Sequence, residues 1–231
     1  MLYTLFYNPD SANIVIRFAL EELGVAYDGR LVPGRRTGRD AAFHKLNPTG
    51  LLPVLVDHDT GAPIAETAAI LLYLTDRHGT LGVDIGDPAG RGEYLRQLFH
   101  LSNTVHAHLR LGFYADRVSE DPTVTESVTG WSGRETLQSV AIYEDLLADG
   151  RPWIFGEAIS VCDYYLAACI RWSQLYPPDN PVFDRADLDR FPAVTAMLSR
   201  LQERPAAKRA AAKEGLVAPL FLSPVPMATP T

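Results

Sequence analysis

The sequence has few cysteines, no long hydrophobic run and no excess of basic residues, and each absence excludes a class of protein. Its two cysteines, Cys162 and Cys169, lie seven residues apart in an apolar periodic segment and form no CxxC motif or metal-ligand cluster, so we interpret both as core residues. No apolar run approaches the length of a membrane span. The formal net charge of −7 argues against non-specific binding to nucleic acid or anionic membranes, but not against a small anionic ligand at one local site.

The start of the chain and its length set further expectations. The first residues read Met-Leu-Tyr-Thr-Leu-Phe-Tyr-Asn, without a basic leader followed by an apolar core, so we predict no signal peptide and a cytoplasmic protein. No group of histidines and carboxylates has the spacing of metal ligands, so we expect no metal. A chain of 231 residues is too long for one small domain and can build two, each with its own core.

The first 80 residues alternate between strand and helix patterns. Alternating, aromatic-rich residues predict a strand over 2–7, an apolar periodicity ending at Gly24 predicts a helix, and a second strand follows over 27–32. A short helix is predicted over 41–46. Two further short strands and a helix to Gly79 complete the order βαβ-α-ββα, which is that of a thioredoxin-like α/β domain.

The composition changes after residue 80 and indicates a domain boundary. Residues 81–92 are rich in glycine and are interpreted as a linker between the first domain, 1–80, and a second domain, 93–222. The second domain has helical periodicity throughout, which predicts an all-α helical bundle. Breaks between its helices are expected at Asp121-Pro122 and Gly130. The predicted helices span 93–117, 131–148, 160–174, 191–204 and 206–214. The proline-rich tail, 223–231, is expected to be disordered or to lie along the surface.

The central helix of this bundle has a local start signal. Ser160 and Asp163 place a hydroxyl and a carboxylate three residues apart at its beginning, which is the spacing of a capping box with Asp in place of Glu or Gln. We therefore predict a structural role for both residues.

Residues 47–70 combine the signals of a ligand site. Pro53 follows Leu52 between a glycine-containing turn and an apolar strand. If that peptide bond is cis, the N–H and C=O of Leu52 are exposed, and a peptide could pair with them as an added strand. Glu66 and Thr67 then open a helix whose first turn offers N–H groups, a positive dipole end, a hydroxyl and a carboxylate. This set can hold both charges of an amino-acid head group. Alternatively, Pro53 only makes a turn and Glu66 only complements the helix dipole.

Two parts of this stretch, Leu-Leu-Pro-Val-Leu and Ile-Ala-Glu-Thr-Ala-Ala-Ile-Leu-Leu-Tyr-Leu, resemble the glutathione-binding core of the glutathione S-transferase superfamily. The N-terminal strand, the loop over 8–13 and the helix ending in Glu-Glu-Leu-Gly match the same pattern. The resemblance therefore covers essentially the whole chain and is strongest over 1–80. It implies that glutathione is a cosubstrate, bound by Leu52, Pro53, Glu66 and Thr67.

The loop before the first helix is expected to carry the chemistry. In the family it supplies the group that hydrogen-bonds the glutathione sulfur, a Tyr at the strand end in some classes and a Ser or Cys at the helix start in others. Here it reads Asp10-Ser11-Ala12-Asn13, and Ser11 lies among the positions of the functional Ser or Cys. Ala12 replaces the Cys of the bacterial cysteine-type classes, so the resemblance is to a bacterial-type member with a serine-containing loop. Asn13 and Tyr7 are alternative donors, and Ser11 could also be only an N-cap.

One position departs from the family pattern. Between Gly50 and Pro53 the family commonly has a polar Lys, Gln or His, whereas this chain has two leucines. The glycine carboxylate of glutathione then needs another cation. The nearest candidates in sequence, each of which could also be a solvated surface residue, are Lys45, Arg39, His44 and Arg36.

The second substrate is expected between the domains, where we assign His106, Tyr114 and Trp172 to the pocket, although aromatic residues at helical spacing also suit a core. The expected function is conjugation of the glutathione thiolate to a small electrophile, apolar or aromatic, at this interdomain cleft. Glutathione-dependent reduction of peroxides or disulfides and a non-catalytic binding module are the alternatives. The resemblance also implies a homodimer, and no nucleic-acid or membrane partner is expected.

Overall fold

The computed structural model describes residues 1–34, 39–179, 181–183 and 185–227. Its first part is a four-stranded sheet with helices packed on it, and its second part is a helical bundle. Within these ranges, no helix combines the length and the apolar character needed to cross a bilayer. The same residues contain no group of three or more His, Cys, Asp or Glu side chains arranged to hold a metal ion.

The first domain has the element order expected from the sequence. Its elements are β1 (Tyr3–Tyr7), α1 (Asn13–Leu23), β2 (Tyr27–Leu31), α2 (Ala41–Leu46), β3 (Val54–Asp57), β4 (Pro63–Ala65) and α3 (Thr67–His78). The strands lie in the order β2-β1-β3-β4, with β1 parallel to β2 and the other neighbours antiparallel. This arrangement confirms the predicted thioredoxin-like fold.

The alternation of β1 explains how both faces of the sheet are covered. Tyr3 and Leu5 are buried in the main core together with side chains of α1 and α3. Phe6 lies on the opposite face and meets Phe43 of α2, with the ring centroids 6.0 Å apart. Gly24 ends α1 with a φ of 64°, a conformation that glycine adopts without a steric penalty.

The register of the sheet brings three chain segments to one end of it. Phe6 of β1 lies opposite Val54 of β3, and Val54 lies opposite Ala65 of β4. The chain leaves β1, enters β3 and leaves β4 at this same end. The loop before α1, the segment before β3 and the first turn of α3 are therefore neighbours.

The second domain confirms the predicted all-α bundle. Its helices are α4 (Pro88–His100), α5 (His106–Phe113), α6 (Pro122–Leu147), α7 (Val161–Leu175), α8 (Arg185–Leu188), α9 (Pro192–Gln202) and α10 (Pro205–Glu214). A π-helical turn (Leu101–Val105) joins α4 to α5, and a 3₁₀ turn (Ala115–Arg117) follows α5. The helix α7 is buried along nearly its whole length and contacts α1 of the first domain, so it forms the centre of the molecule.

The first helix of the bundle begins earlier than predicted and is interrupted. It starts at Pro88, inside the segment interpreted as a linker. Asp87 caps it by accepting a hydrogen bond from the N–H of Gly90 at 3.1 Å, and proline suits the first helical position. The continuous helix predicted over 93–117 is divided by the π-helical turn, and α5 ends at Phe113.

The second helix of the bundle also begins earlier than predicted. It starts at Pro122 rather than Trp131, because the Asp121 carboxylate accepts a hydrogen bond from the N–H of Thr123 at 2.9 Å. Gly130, expected as a break, lies inside α6, since one glycine costs a helix only about 1 kcal/mol. The short helix α8 has no counterpart in the sequence-based prediction.

The start of α7 confirms the predicted capping box. The Ser160 hydroxyl accepts a hydrogen bond from the N–H of Cys162 at 3.2 Å, and the Asp163 carboxylate accepts one from the N–H of Ser160 at 2.8 Å. Asp163 also accepts from the N–H of Ile154 at 2.8 Å, which joins α7 to the preceding loop. Cys162 and Cys169 are free and buried as predicted, and burial raises the pKa of both thiols.

The described part of the tail, residues 223–227, lies along α7. The N–H of Ser223 donates to Gln174 Oε1 at 3.1 Å, and the carbonyl of Val225 accepts from Arg171 Nη2 at 3.4 Å. Of the two expectations for the tail, surface packing is confirmed for these residues. The remaining positions, 228–231, lie outside the described residues.

Candidate active site

The segment before β3 presents backbone groups to a ligand. The Leu52–Pro53 peptide bond is cis. Leu52 is partly buried, and neither its N–H nor its C=O has a hydrogen-bond partner in the described part of the chain. Asn47 fixes the preceding turn, because its side-chain amide donates to the carbonyl of Leu51 at 2.9 Å. The backbone at Leu52 can therefore pair with an extended ligand, as the sequence predicts.

The N-terminus of α3 lies beside this backbone. Glu66 precedes the helix with a φ of 73°, which residues other than glycine rarely adopt, and it is exposed. Among the described residues, none caps this helix through its side chain or pairs with the Glu66 carboxylate. Thr67 is the first helical residue and is buried. The first turn of α3 thus presents free N–H groups next to a carboxylate.

The loop between β1 and α1 does not cap its helix. Ala12 occupies the N-cap position, and no described side chain caps α1. The Ser11 hydroxyl donates a hydrogen bond to Asn13 Oδ1, which also accepts one from the N–H of Asn8 at 3.0 Å. The alternative that Ser11 is only an N-cap is wrong, because its hydroxyl bonds to Asn13 and Ala12 holds the cap position.

Asn13 is held by a residue of the second domain. Its Nδ2 donates to Glu214 Oε1 at 2.7 Å, and this bond fixes the orientation of the amide because a carboxylate only accepts. Asn13 Oδ1 must then face Ser11, so the serine is the donor in their hydrogen bond. Asn13 is fully buried and Ser11 is partly exposed, so Ser11 is the one that a ligand can reach. A direct contact of Asn13 with sulfur stays a prediction, which this geometry does not favour.

Tyr7, the other predicted donor, lies against a buried ion pair under the loop. The guanidinium carbon of Arg17 is 4.3 Å from the centre of the Tyr7 ring, and Arg17 Nε donates to Glu214 Oε1 at 2.8 Å. Both charged side chains are buried. Burial raises the pKa of the Glu214 carboxyl, and Arg17 opposes this shift. The Arg17–Glu214 ion pair therefore lies next to the loop that contains Ser11, because Glu214 also bonds to Asp10 and Asn13.

Every polar group of Asp10 is bonded to the second domain. Its carboxylate accepts from Nε and Nη2 of Arg171, both at 2.8 Å, in a buried pair. Its N–H donates to Glu214 Oε2 at 2.8 Å, and its carbonyl accepts from Trp172 Nε1 at 3.1 Å. The sequence analysis missed Arg171 and Glu214, and with them the contacts that hold Asp10. A signal was present for Arg171, since an arginine in a helix that is apolar nearly all round needs a buried partner.

Two of the three residues predicted to bind the second substrate lie together under this loop. The rings of His106 and Trp172 are 5.1 Å apart, and His106 Nδ1 is 2.9 Å from the Tyr165 hydroxyl. Burial, with a smaller contribution from Arg110, lowers the pKa of His106 to about 4, so the imidazole is neutral at neutral pH. Trp172 is only 3% exposed, which fits the alternative that it is a core residue.

Tyr114, the third of these residues, lies at the far end of α5. It is 41% exposed, and the guanidinium carbon of Arg117 is 3.8 Å from the centre of its ring. This stacked pair is an exposed surface of mixed aromatic and cationic character. Its role in substrate binding stays a prediction.

The candidate cations for a ligand carboxylate differ in their surroundings. Arg39 donates through Nη1 to the carbonyl of Gly50, and burial lowers its pKa. Lys45 is exposed, and it forms no ion pair with another described residue. His44 is partly buried, and Arg36 lies outside the described residues.

Comparisons with known proteins identify the family of this chain. The model of the glutathione S-transferase N-terminal domain matches residues 15–77, and that of the C-terminal domain matches residues 120–205. Glutathione S-transferase GstA of Escherichia coli O157:H7 is 26% identical over 220 residues, which are 92% of this chain and 98% of that protein.

Two solved structures are similar over most of their length. A sphingomonad glutathione S-transferase in complex with glutathione is 26% identical, with a TM-score of 0.76 over 93% of this chain and 100% of that chain. A glutathione transferase from Burkholderia graminis, with two glutathione molecules bound per subunit, is 27% identical. Its TM-score is 0.73, over 90% of this chain and 87% of that chain. The two domain models, the curated relative and these structures agree, and the chain belongs to the glutathione S-transferase superfamily.

Proposed function

We propose that the protein is a glutathione transferase that joins the glutathione thiolate to a small electrophile, apolar or aromatic, at the cleft between its domains. The observation that carries this proposal is the meeting of three segments at one end of the sheet. These are the loop with Ser11, the backbone of Leu52 and the start of α3. The Leu52 backbone and the start of α3 leave polar groups without partners among the described residues, and the loop presents the partly exposed Ser11. The sphingomonad relative, which binds glutathione, supports the assignment.

Each segment suits one part of glutathione. The N–H and C=O of Leu52, next to Pro53, would pair with the backbone of the cysteinyl residue as an added strand. The exposed carboxylate of Glu66 would bind the ammonium of the γ-glutamyl group, and Thr67 with the N–H groups of α3 would bind its carboxylate. These contacts hold the cosubstrate with its sulfur toward the loop before α1.

The hydroxyl of Ser11 is the proposed donor to the glutathione sulfur. It would turn away from Asn13 Oδ1, to which it donates in the structure, and donate to the thiolate after the thiol proton has passed to solvent. The positive end of the α1 dipole acts in the same direction. Together they would lower the pKa of the thiol from its free value of about 8.5, at about 1.4 kcal/mol per unit of pKa.

The glycine carboxylate of glutathione is assigned to Lys45. This side chain is exposed and has no ion-pair partner among the described residues, whereas Arg39 already donates to a backbone carbonyl of the neighbouring turn. The resulting contact would be solvent-exposed and therefore weak, on the order of 0–1 kcal/mol. Lys45 is thus expected to adjust affinity rather than to determine it.

The second substrate is assigned to the region between the domains, beside the Ser11 loop. His106, neutral at neutral pH, offers an uncharged polar edge there, and Trp172 supports its ring from the core side. Tyr114 adds an exposed aromatic surface at the end of α5. This mixture suits an electrophile with an apolar or aromatic body.

The proposal is tested by retention of the protein on immobilised glutathione, followed by an assay with a panel of small electrophiles. We expect retention and a measurable rate with at least one aromatic electrophile. Retention without a rate on any electrophile or hydroperoxide would indicate a binding module. Failure to be retained, with no solution binding of glutathione by calorimetry, would contradict the proposal.

A second candidate function is the glutathione-dependent reduction of a peroxide or disulfide. Two glutathione molecules are bound per subunit in the Burkholderia graminis relative, and this stoichiometry matches a two-electron reduction. Two thiols give one disulfide while a hydroperoxide gives an alcohol and water. Including a hydroperoxide and a low-molecular-weight disulfide in the same panel separates this activity from conjugation.

We also propose that the protein is a cytoplasmic homodimer. His100 Nδ1 lies 3.0 Å from the Tyr143 hydroxyl, which brings α4 and α6 together. The residues just before these two, Phe99 and Ile142, are both exposed, so each helix presents an apolar side chain to solvent near this contact. Light scattering is expected to give about twice the chain mass of 25.4 kDa, and a monomer at micromolar concentration would contradict the dimer. Free cysteines and a thiol cosubstrate suit a reducing compartment, which cell fractionation tests.

A further inference from the structure

The guanidinium of Arg171 joins three parts of the chain that are far apart in sequence. Its Nε and Nη2 donate to the two oxygens of the Asp10 carboxylate, both at 2.8 Å. Its Nη1 donates to the carbonyl of Leu220 at 2.8 Å, and Nη2 also reaches that of Val225 at 3.4 Å. Arg171 thus connects the loop before α1, the central helix α7 and the segment after α10.

The conformation of Asp10 requires such support. Its φ is 54°, in the left-handed region that side chains with a Cβ atom disfavour, although Asp tolerates it better than most. The two-pronged contact with Arg171 is the geometry in which a guanidinium best fixes the position and the orientation of a carboxylate. Trp172 Nε1 and Glu214 Oε2 hold the backbone of the same residue.

Ser11 directly follows this residue, and its own hydrogen bonds stay within the loop and the first turn of α1. Its hydroxyl donates to Asn13, its N–H donates to the carbonyl of Asn8 at 3.3 Å, and its carbonyl accepts from the N–H of Ile14 at 2.8 Å. The direct contacts between this part of the loop and the second domain are therefore made by Asp10. The direction of the Ser11 Cα–Cβ bond therefore depends on the backbone angles of Asp10.

We infer that Arg171 is a positioning residue that acts through Asp10 and sets the direction in which the Ser11 hydroxyl points toward the cosubstrate sulfur. This inference rests on the proposed function, in which Ser11 is the donor. Arg171 itself is buried and paired, so it acts on the sulfur through the loop and not by contact.

The test compares Arg171→Lys with the wild type, both saturated with glutathione, by titrating the near-ultraviolet absorbance of the bound thiolate. Lysine keeps the positive charge but cannot form the two-pronged contact. We expect the pKa of the bound thiol to rise by about one unit, which is a tenfold change in the thiolate equilibrium, and kcat to fall about tenfold. The KM for glutathione should change less than about threefold, because the groups that hold it are untouched.

Arg204→Lys is the matched control. Arg204 also joins the two domains through a two-pronged contact, to Glu22 at the end of α1, but it does not touch the loop. This variant should lower thermal stability while leaving the thiol titration unchanged. If it shifts the titration as much as Arg171→Lys does, the effect is a general loosening of the domain contact and the inference is overturned.

The same comparison in a Ser11→Ala background separates this inference from the proposed function. If Arg171 acts through Ser11, Arg171→Lys should produce no further shift once the hydroxyl is gone. An equal shift in both backgrounds would overturn the positioning role while leaving Ser11 as the donor. If Ser11→Ala alone moves nothing, the assignment of the donor has failed. Should Arg171→Lys not fold, Asp10→Asn, which keeps the shape of the side chain, is used in its place with the same expectations.

Discussion

The helices α7 and α1 begin in opposite ways. At α7 the Ser160 hydroxyl and the Asp163 carboxylate satisfy the first N–H groups within a few residues of sequence. At α1 the N-cap position is held by Ala12, and the residues before it are fixed by Arg171 and Glu214 from the other domain. The start of α3 resembles α1, since no described side chain caps it.

Under the proposed function, this difference separates the structural start of α7 from the ligand-binding starts of α1 and α3. A capped N-terminus has used its hydrogen-bond donors, whereas one without a side-chain cap leaves them for a ligand and keeps its positive dipole end accessible. In this protein the ends of α1 and α3 meet at one end of the sheet, beside Leu52 and Pro53. The capped end of α7 lies in the core, with Asp163 fully buried.

The largest expected effect comes from removing the remote support of α1. Glu214→Ala takes away the carboxylate that binds Asn13, Arg17 and the N–H of Asp10, and leaves the buried guanidinium of Arg17 without its ion-pair partner. We expect a loss of about 3–5 kcal/mol in the free energy of unfolding, measured by urea denaturation.

Glu203→Ala is the control for this change. Within the described ranges, Glu203 pairs only with Lys208, at 2.7 Å on an exposed surface, so its removal should alter stability little. Hydrogen exchange sharpens the comparison, because Glu214→Ala should accelerate exchange at residues 8–14 and leave the start of α7 protected. Similar stability losses for the two variants would mean that the Glu214 network does not support α1.

The next effect is the loss of the local cap of α7. Asp163→Ala removes the acceptor for the N–H groups of Ser160 and Ile154, and it should lower stability by roughly 0.5–2 kcal/mol while activity per folded molecule survives. Asp121→Ala removes an exposed cap of α6 and should cost less, measured in the same urea titration. A collapse of activity with unchanged stability would contradict the purely structural role of Asp163.

The third effect concerns the start of α3 and appears in binding rather than in stability. Glu66→Ala should raise the dissociation constant for glutathione at least tenfold, on the order of 1.4 kcal/mol or more, through loss of the contact to the ammonium. Because the carboxylate is exposed and has no partner among the described residues, the melting temperature should barely change. Unchanged affinity by calorimetry, together with a lower melting temperature, would make Glu66 a structural residue only.

The comparison of helix starts also explains what could be predicted from the sequence. The capping box of α7 and the bounds of α2 (Ala41–Leu46) follow from neighbouring residues and were predicted correctly. The starts of α4 and α6 were predicted too late. The glycine residues there suggested a linker or a break, whereas the Asp-Pro pairs before both helices are signals of a helix start. Local signals were present in all four cases.

The support of the Ser11 loop had no such local signal. Asp10 and Arg171 are 161 residues apart, and Asn13 and Glu214 are 201 apart, so only the packing of the two domains brings them together. The residues Leu52, Pro53, Glu66 and Thr67, by contrast, lie close together in sequence. Their motif could be recognised because they flank a hairpin of adjacent strands. The charge of Arg171 in an apolar helix pointed to a buried partner without identifying it.

The most direct test of the account is the titration of the bound glutathione thiol in the wild type and in Ser11→Ala. Ser11 is the partly exposed hydroxyl of the loop, and its loss should leave glutathione affinity nearly intact, because Glu66, Thr67 and the Leu52 backbone hold the head group. The account predicts a wild-type midpoint below the free value of about 8.5, a rise of about one unit or more in the variant, and a fall in kcat of about tenfold to a thousandfold. An unchanged midpoint together with an unchanged rate would contradict it and would transfer the test to Asn13 and then Tyr7.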